Sequence, residues 1–164
     1  MSDPVALYDQ ADKLKDEGKI EEAVAKLQEA LTVDPNYALA HSALAVVLQK
    51  LGKHEEARNY YNTALKIVPD EPSVLSNLGL SYMLTRDLPN AEQTLRRAYG
   101  NPRADARVRQ NLALVVGLQG RFAEAETIAK GDLPADEAAT NVAYLREMLS
   151  RCLLYTSPSP RDIS

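Results

Sequence analysis

Apolar residues recur along this chain at helical spacing. Leu7, Ala11 and Leu14 stand at i, i+4 and i+7, and Ala23, Leu27 and Ala30 repeat the same interval. Each set lays one apolar stripe along one face of a helix and leaves the opposite face to Asp, Glu, Lys and Gln. Between the two stripes stands Gly18, suited to the left-handed residue that ends a helix, and beyond the second comes Pro35, which cannot continue one. The pattern predicts pairs of amphipathic helices joined by short turns, with no strands.

The pair is repeated. Ala23, Ala57, Ala91 and Ala125 follow one another at steps of 34 residues, and Ala11, Ala45, Gly79 and Ala113 keep the same step. So do Leu14, Leu48, Tyr82 and Val116, and Ala30, Ala64 and Ala98. Small residues in fixed columns let two helix axes approach at the near end of the ~8–10 Å range for packed helices. A larger side chain there would overpack, at a cost of ~1–3 kcal/mol. Gly18, Gly52 and Gly120 share one register, whose third slot is Arg86. A left-handed arginine would cost ~1–2 kcal/mol, so the expectation is that this turn uses Asp87 or another geometry. One hairpin leaves much apolar surface wet, and stability has to come from stacking successive units.

These columns, together with "EEAVAKLQEALTVDP", "EEARNYYNTALKIVP", "NLGLSYMLTRDLPNAEQTLRRA" and "NLALVVGLQGRFAEAE", resemble the tetratricopeptide repeat (TPR) family over residues 4 to 131. The resemblance implies an all-α, right-handed solenoid with units at 4–37, 38–71, 72–105 and a shorter 106–131. After Gly131, Ala138, Val142, Leu145 and Leu149 form one more stripe, read as a capping helix over 135–150. Pro134 suits its first turn, and Asp136 and Glu137 favour the positive end of its dipole.

The last residues break the pattern. "CLLYTSPSPRD", residues 152 to 162, matches the in-frame translation of a string resembling a transposase-type sequencing adapter, so residues 152–164 are expected to be a non-native tail that leaves the true C-terminus open. The alternative is a Ser-Pro segment for phosphorylation or Pro-rich recognition, with Cys152 as a thiol. Basic residues also change identity along the chain: lysine occurs seven times up to Lys66 and once after it, at Lys130, whereas arginine dominates from Arg86 on. From about Arg58 to residue 150 the sequence is similar to the C-terminal part of TPR proteins of tight-adherence (Flp) pilus assembly, while the first part resembles a generic bacterial TPR protein. A soluble relative and a chimera joined within residues 54–70 both accommodate this. The N-terminus carries neither a signal peptide nor a lipobox, which as written implies a cytoplasmic protein. The pilus family's exported lipoproteins would instead imply a periplasmic or outer-membrane setting.

The formal charge of −4 offers no general attraction to phosphates or anionic lipid, so nucleic acid and membrane insertion are not expected. One phenylalanine and no tryptophan weaken an RNA-binding reading further, since base stacking needs aromatics. No nucleophile, base and orienting group converge in the pattern, and no metal, cofactor or small-molecule site is legible. His41 stands where the family often has a packing aromatic, and His54 in a charged turn. The chain therefore reads as non-catalytic, either a scaffold that binds a protein or peptide partner or a regulatory subunit of an enzyme.

The family resemblance places the groove on Val5, Leu39, Ser73 and Arg107; on Tyr8, Ser42, Ser76 and Gln110; and on Asp12, Val46, Leu80 and Leu114. Met83 and Leu84 extend the last, largely apolar row, suggesting a peptide or helix with apolar side chains, unless a neighbouring repeat or the cap covers it. Asn77 and Asn111 stand where an asparagine of related repeats binds ligand backbone; the alternative is a bond to the adjacent loop. The carboxylate clamp of chaperone-binding relatives is absent, its places being held by Tyr8, Asp12, Ala43, Ser76 and Leu80. Arg103, Arg107 and Arg109 form either a seat for an acidic partner or a solvated face.

Overall fold

The computed structural model describes residues 3–131 together with Asp136, Ala139, Thr140, Ala143, Arg146 and Glu147. Over residues 3–131 eight helices follow one another: α1 (Pro4–Asp16), α2 (Ile20–Val33), α3 (Ala38–Lys50), α4 (His54–Ile67), α5 (Pro72–Leu84), α6 (Leu88–Tyr99), α7 (Ala106–Leu118) and α8 (Phe122–Ala129). They pair as four hairpins, and each hairpin packs on the next through α2–α3, α4–α5 and α6–α7. The first helices of successive hairpins also meet, α3 against α5 and α5 against α7. This is the all-helical solenoid that the periodicity implies. The stripe Ala138, Val142, Leu145 and Leu149 and the tail from Cys152 lie outside the described residues.

The repeat columns form the core. Ala23, Ala57, Ala91 and Ala125 are fully buried, as are Leu27, Leu95 and Tyr61 on neighbouring turns. Each buried Leu stabilises the fold by ~1.5–3 kcal/mol relative to exposure. One cluster joins α1 to α4 with Val74 and Leu78 of α5; a second runs from Ala91 through Leu112 to Ala129; Tyr82 packs against both. The guanidinium of Arg58 lies 5.1 Å from the centre of the Tyr82 ring, a cation–π contact that ties α4 to α5.

The turns inside the hairpins share one geometry, and here an expectation fails. Gly18, Gly52 and Gly120 have φ of +78°, +79° and +86°, and Arg86 itself adopts +63°. Asp87 is not the left-handed residue; it is the N-cap of α6, its carboxylate accepting from Asn90 N–H. The reason lies in the hydrogen bonds that the left-handed residue completes. Lys19 N–H reaches Leu14 O at 2.8 Å and Gly18 N–H reaches Lys15 O at 3.0 Å; in the third hairpin Asp87 N–H reaches Tyr82 O at 2.9 Å and Arg86 N–H reaches Met83 O at 3.0 Å. This Schellman closure satisfies two helix-end carbonyls. Two net hydrogen bonds of ~0.5–1.5 kcal/mol each outweigh or match the conformational cost.

Arg86→Gly is therefore expected to stabilise the protein by ~1 kcal/mol, the relief of strain reduced by glycine's greater freedom when unfolded. Thermal melting should rise by ~2–4 °C. An unchanged or lower melting temperature would show that the arginine side chain compensates.

Candidate functional site

The first helices supply the walls of a recess of about 260 Å³ on one side of the array. From α1 come Tyr8, Asp12 and Lys15, spaced so that one face carries all three; from α3 come Leu39, Ser42 and Val46; from α5 come Ser73 and Asn77. Its floor is apolar: half-buried Ala43 lies there over buried Ala11 of α1, Leu27 of α2 and Val47 of α3. Leu39, on the rim, is 56% exposed. The Tyr8 ring is held at 5.8 Å from that of Tyr37, tilted by 55°. Lys15 Nζ donates to Asp12 Oδ1 at 2.9 Å. That bond keeps the Lys15 ammonium above its ordinary pKa against the opposing effect of burial.

Of the residues expected in the groove, Tyr8, Asp12, Leu39, Ser42, Val46, Ser73 and Asn77 line this recess. The remainder are distributed along the same helices. Leu80 of α5 and Leu114 of α7 are half-buried, and Leu84 is 58% exposed. Met83 is half-buried and packs against the second core cluster. Ser76 is buried, and its Oγ accepts from Asn111 Nδ2 at 3.0 Å. Asn111 thus ties α7 to α5, a structural role different from the adjacent-loop bond that was its expected alternative. Arg107 and Gln110 are exposed at the start of α7.

Arg103 and Arg107 are engaged in ion pairs within the chain. Arg103 Nη2 lies 2.8 Å from Glu71 Oε2, and Arg107 Nε lies 3.7 Å from Asp105 Oδ2. The side chain of Arg109 runs against the Gly131 backbone. Such exposed pairs contribute ~0–1 kcal/mol each. His41 is buried, its Nε2–H donating to Pro35 O at 2.8 Å, with its ring 6.0 Å from that of Tyr60. It packs rather than faces the recess. His54 is the first residue of α4 and is half-buried.

Lys15, Ala43, Leu27 and Val47 were not legible as site residues. Lys15 stands three residues after Asp12 on the same helix face, and Ala43 shares the 34-residue column of Asn77 and Asn111, which are signals; buried Leu27 and Val47 give none. Among the described residues no helix is long and apolar enough to cross a membrane.

Sequence models described as "TPR repeat" and "Tetratricopeptide repeat" match residues 11–52, 36–103 and 106–130. The BBSome complex member BBS4 of Xenopus tropicalis is 32% identical over 100 residues, which cover 61% of this chain and 19% of that one. The chain therefore spans under a fifth of that relative's length. PilF of Pseudomonas aeruginosa superposes with a TM-score of 0.78 at 26% identity, covering 88% of this chain and 69% of that one. YrrB, described as a TPR protein with an unusual peptide-binding site, superposes with a TM-score of 0.65 at 20% identity over 88% of this chain and 78% of its own, a likeness of fold.

Proposed function

The chain belongs to the tetratricopeptide repeat family, and from that premise we propose that it is a non-catalytic scaffold holding an extended peptide or a helix of a partner protein along the face built by α1, α3, α5 and α7. The observation that carries this reading is the recess itself. It combines an apolar floor with polar side chains on its walls, the composition with which binding sites fix a ligand's orientation. Asn77 supplies an amide that can donate to and accept from a ligand backbone. Further along, Leu80, Leu84 and Leu114 extend an apolar track beyond the recess. The likeness to PilF, and the resemblance of residues 58–150 to pilus-assembly repeats, support a setting in pilus or secretion assembly.

Selection from a displayed random-peptide library with the full chain as bait tests the binding reading. The wild type is expected to enrich a family of related peptides, and Leu39→Glu, at an exposed rim position, to lose them with its circular dichroism unchanged. Leu80→Glu should weaken longer peptides that run on towards α7. Enrichment that survives both substitutions would place binding on another surface. Deletion of the gene in its host is expected to remove surface pili; a normal pilus count would separate the scaffold from pilus assembly.

A further inference from the structure

We propose that the recess is an anchor pocket for one tyrosine side chain of the bound peptide; the inference rests on the groove reading and specifies its ligand. Size sets the first limit. About 260 Å³ falls below the ~300–1,000 Å³ of clefts that enclose whole small ligands, so the recess accommodates a single large side chain. The floor sets the second. Half-buried Ala43 and Val46 and exposed Leu39 present hydrocarbon there, over buried Ala11, Leu27 and Val47, which suits the flat body of a ring and offers nothing to a charged or amide group.

The wall then distinguishes tyrosine from phenylalanine and leucine. Asp12 and Lys15 form an ion pair at the recess, with side chains 53% and 28% exposed, so a side chain seated on the floor displaces water from both. An aliphatic tip or a phenyl edge would remove that water and return no hydrogen bond, a loss for charged groups. A phenol hydroxyl can donate to the Asp12 carboxylate and accept from the Lys15 ammonium at once. An indole N–H can only donate, leaving the ammonium uncompensated. The pair is therefore complementary to a tip that is both donor and acceptor, and tyrosine combines such a tip with an aromatic body. Tyr8, fixed against Tyr37, adds an aromatic edge at the mouth.

Peptides enriched by the full chain are expected to share one tyrosine at a fixed position. In fluorescence-polarisation titrations, changing that tyrosine to phenylalanine should weaken binding to the wild type about tenfold, the equivalent of ~1.4 kcal/mol. The same change should cost little against Asp12→Asn/Lys15→Met, a double substitution at partly exposed positions that leaves the floor intact. Ala43→Leu, which fills the recess, should abolish tyrosine selection; its melting curve and helicity establish that it is folded, and if it is not, the Asp12/Lys15 variant alone decides. Enriched peptides lacking a common tyrosine, or an equal phenylalanine penalty in the wild type and the double variant, would overturn the anchor while leaving the groove. Failure to enrich any peptide would overturn the groove reading and the anchor with it.

Discussion

Gly79→Leu is expected to destabilise the protein by about 3 kcal/mol, the upper part of the range for overpacked cores. The residue lies inside α5 with ordinary helical dihedrals, so the demand for glycine is one of space. A Cβ built there would stand 2.6 Å from Leu95 Cγ and 2.9 Å from Leu95 Cδ2, well inside van der Waals contact. Leu95 is fully buried and so cannot swing out to solvent to relieve the clash. Even Gly79→Ala brings this clash. Its gain in helix propensity of ~0.5–1 kcal/mol offsets only part of the expected cost. Urea unfolding of Gly79→Leu, Leu95→Ala and the double variant measures the coupling directly. The double variant should be markedly more stable than the sum of the two single effects predicts, because removing the leucine makes the room that the new side chain needs. Simple additivity would show that the crossing of α5 and α6 adjusts by backbone movement instead.

The same column shows why the fold could be read from the chain. Ala11 and Leu27, Ala45 and Tyr61, and Gly79 and Leu95 each stand 16 residues apart and repeat at the 34-residue step; the first two pairs belong to one buried cluster, and Leu95 crowds Gly79 in the third. Periodicity of that kind reports which faces are apolar and where the helices cross, and these two facts determine a helical hairpin. It does not report how closely Leu95 approaches the backbone at Gly79 in the third crossing. Nor could it decide the turn at Arg86, because residue type gives the cost of a left-handed arginine while the compensating carbonyl bonds appear only once α5 has ended.

The site was less legible for a related reason. Groove positions such as Ser42, Val46 and Asn77 follow from the family resemblance, and all three line the recess. The depth of the recess depends on how far Leu27 of α2 sits behind α1 and α3, a distance that no interval within one helix contains. Asn111 illustrates the same limit from the other side. Its position in the repeat is compatible with holding a ligand, whereas its partner, Ser76, lies 35 residues away on α5, the first helix of the preceding hairpin. A side chain already bonded inside the fold contributes rigidity to the face more directly than affinity for a ligand.

Above pH 10 the protein is expected to lose stability chiefly through Tyr61. The side chain is fully buried in α4, its hydroxyl donating to Gln49 Oε1 at 3.1 Å, and burial pushes its phenol well above the ordinary value of 10.0. A pKa raised in the folded state means that the neutral form is favoured by folding. The stability it supplies is complete below the unfolded pKa and is lost as pH rises from there towards the folded value. Each pH unit above about 10 therefore removes ~1.4 kcal/mol while Tyr61 remains protonated, and two units remove about 3 kcal/mol of a total that for most domains is ~5–15 kcal/mol. Tyr61→Phe isolates this effect from the deprotonation of lysines, which both proteins share. At pH 7 the variant should be less stable by ~1 kcal/mol, the net value of the lost hydrogen bond. At pH 12 it should be the more stable of the two, so that their urea midpoints cross between those values. Parallel midpoints across the range would mean that the hairpin opens to water around Tyr61 before the phenol ionises, and that the second hairpin is less tightly closed than its buried ring implies.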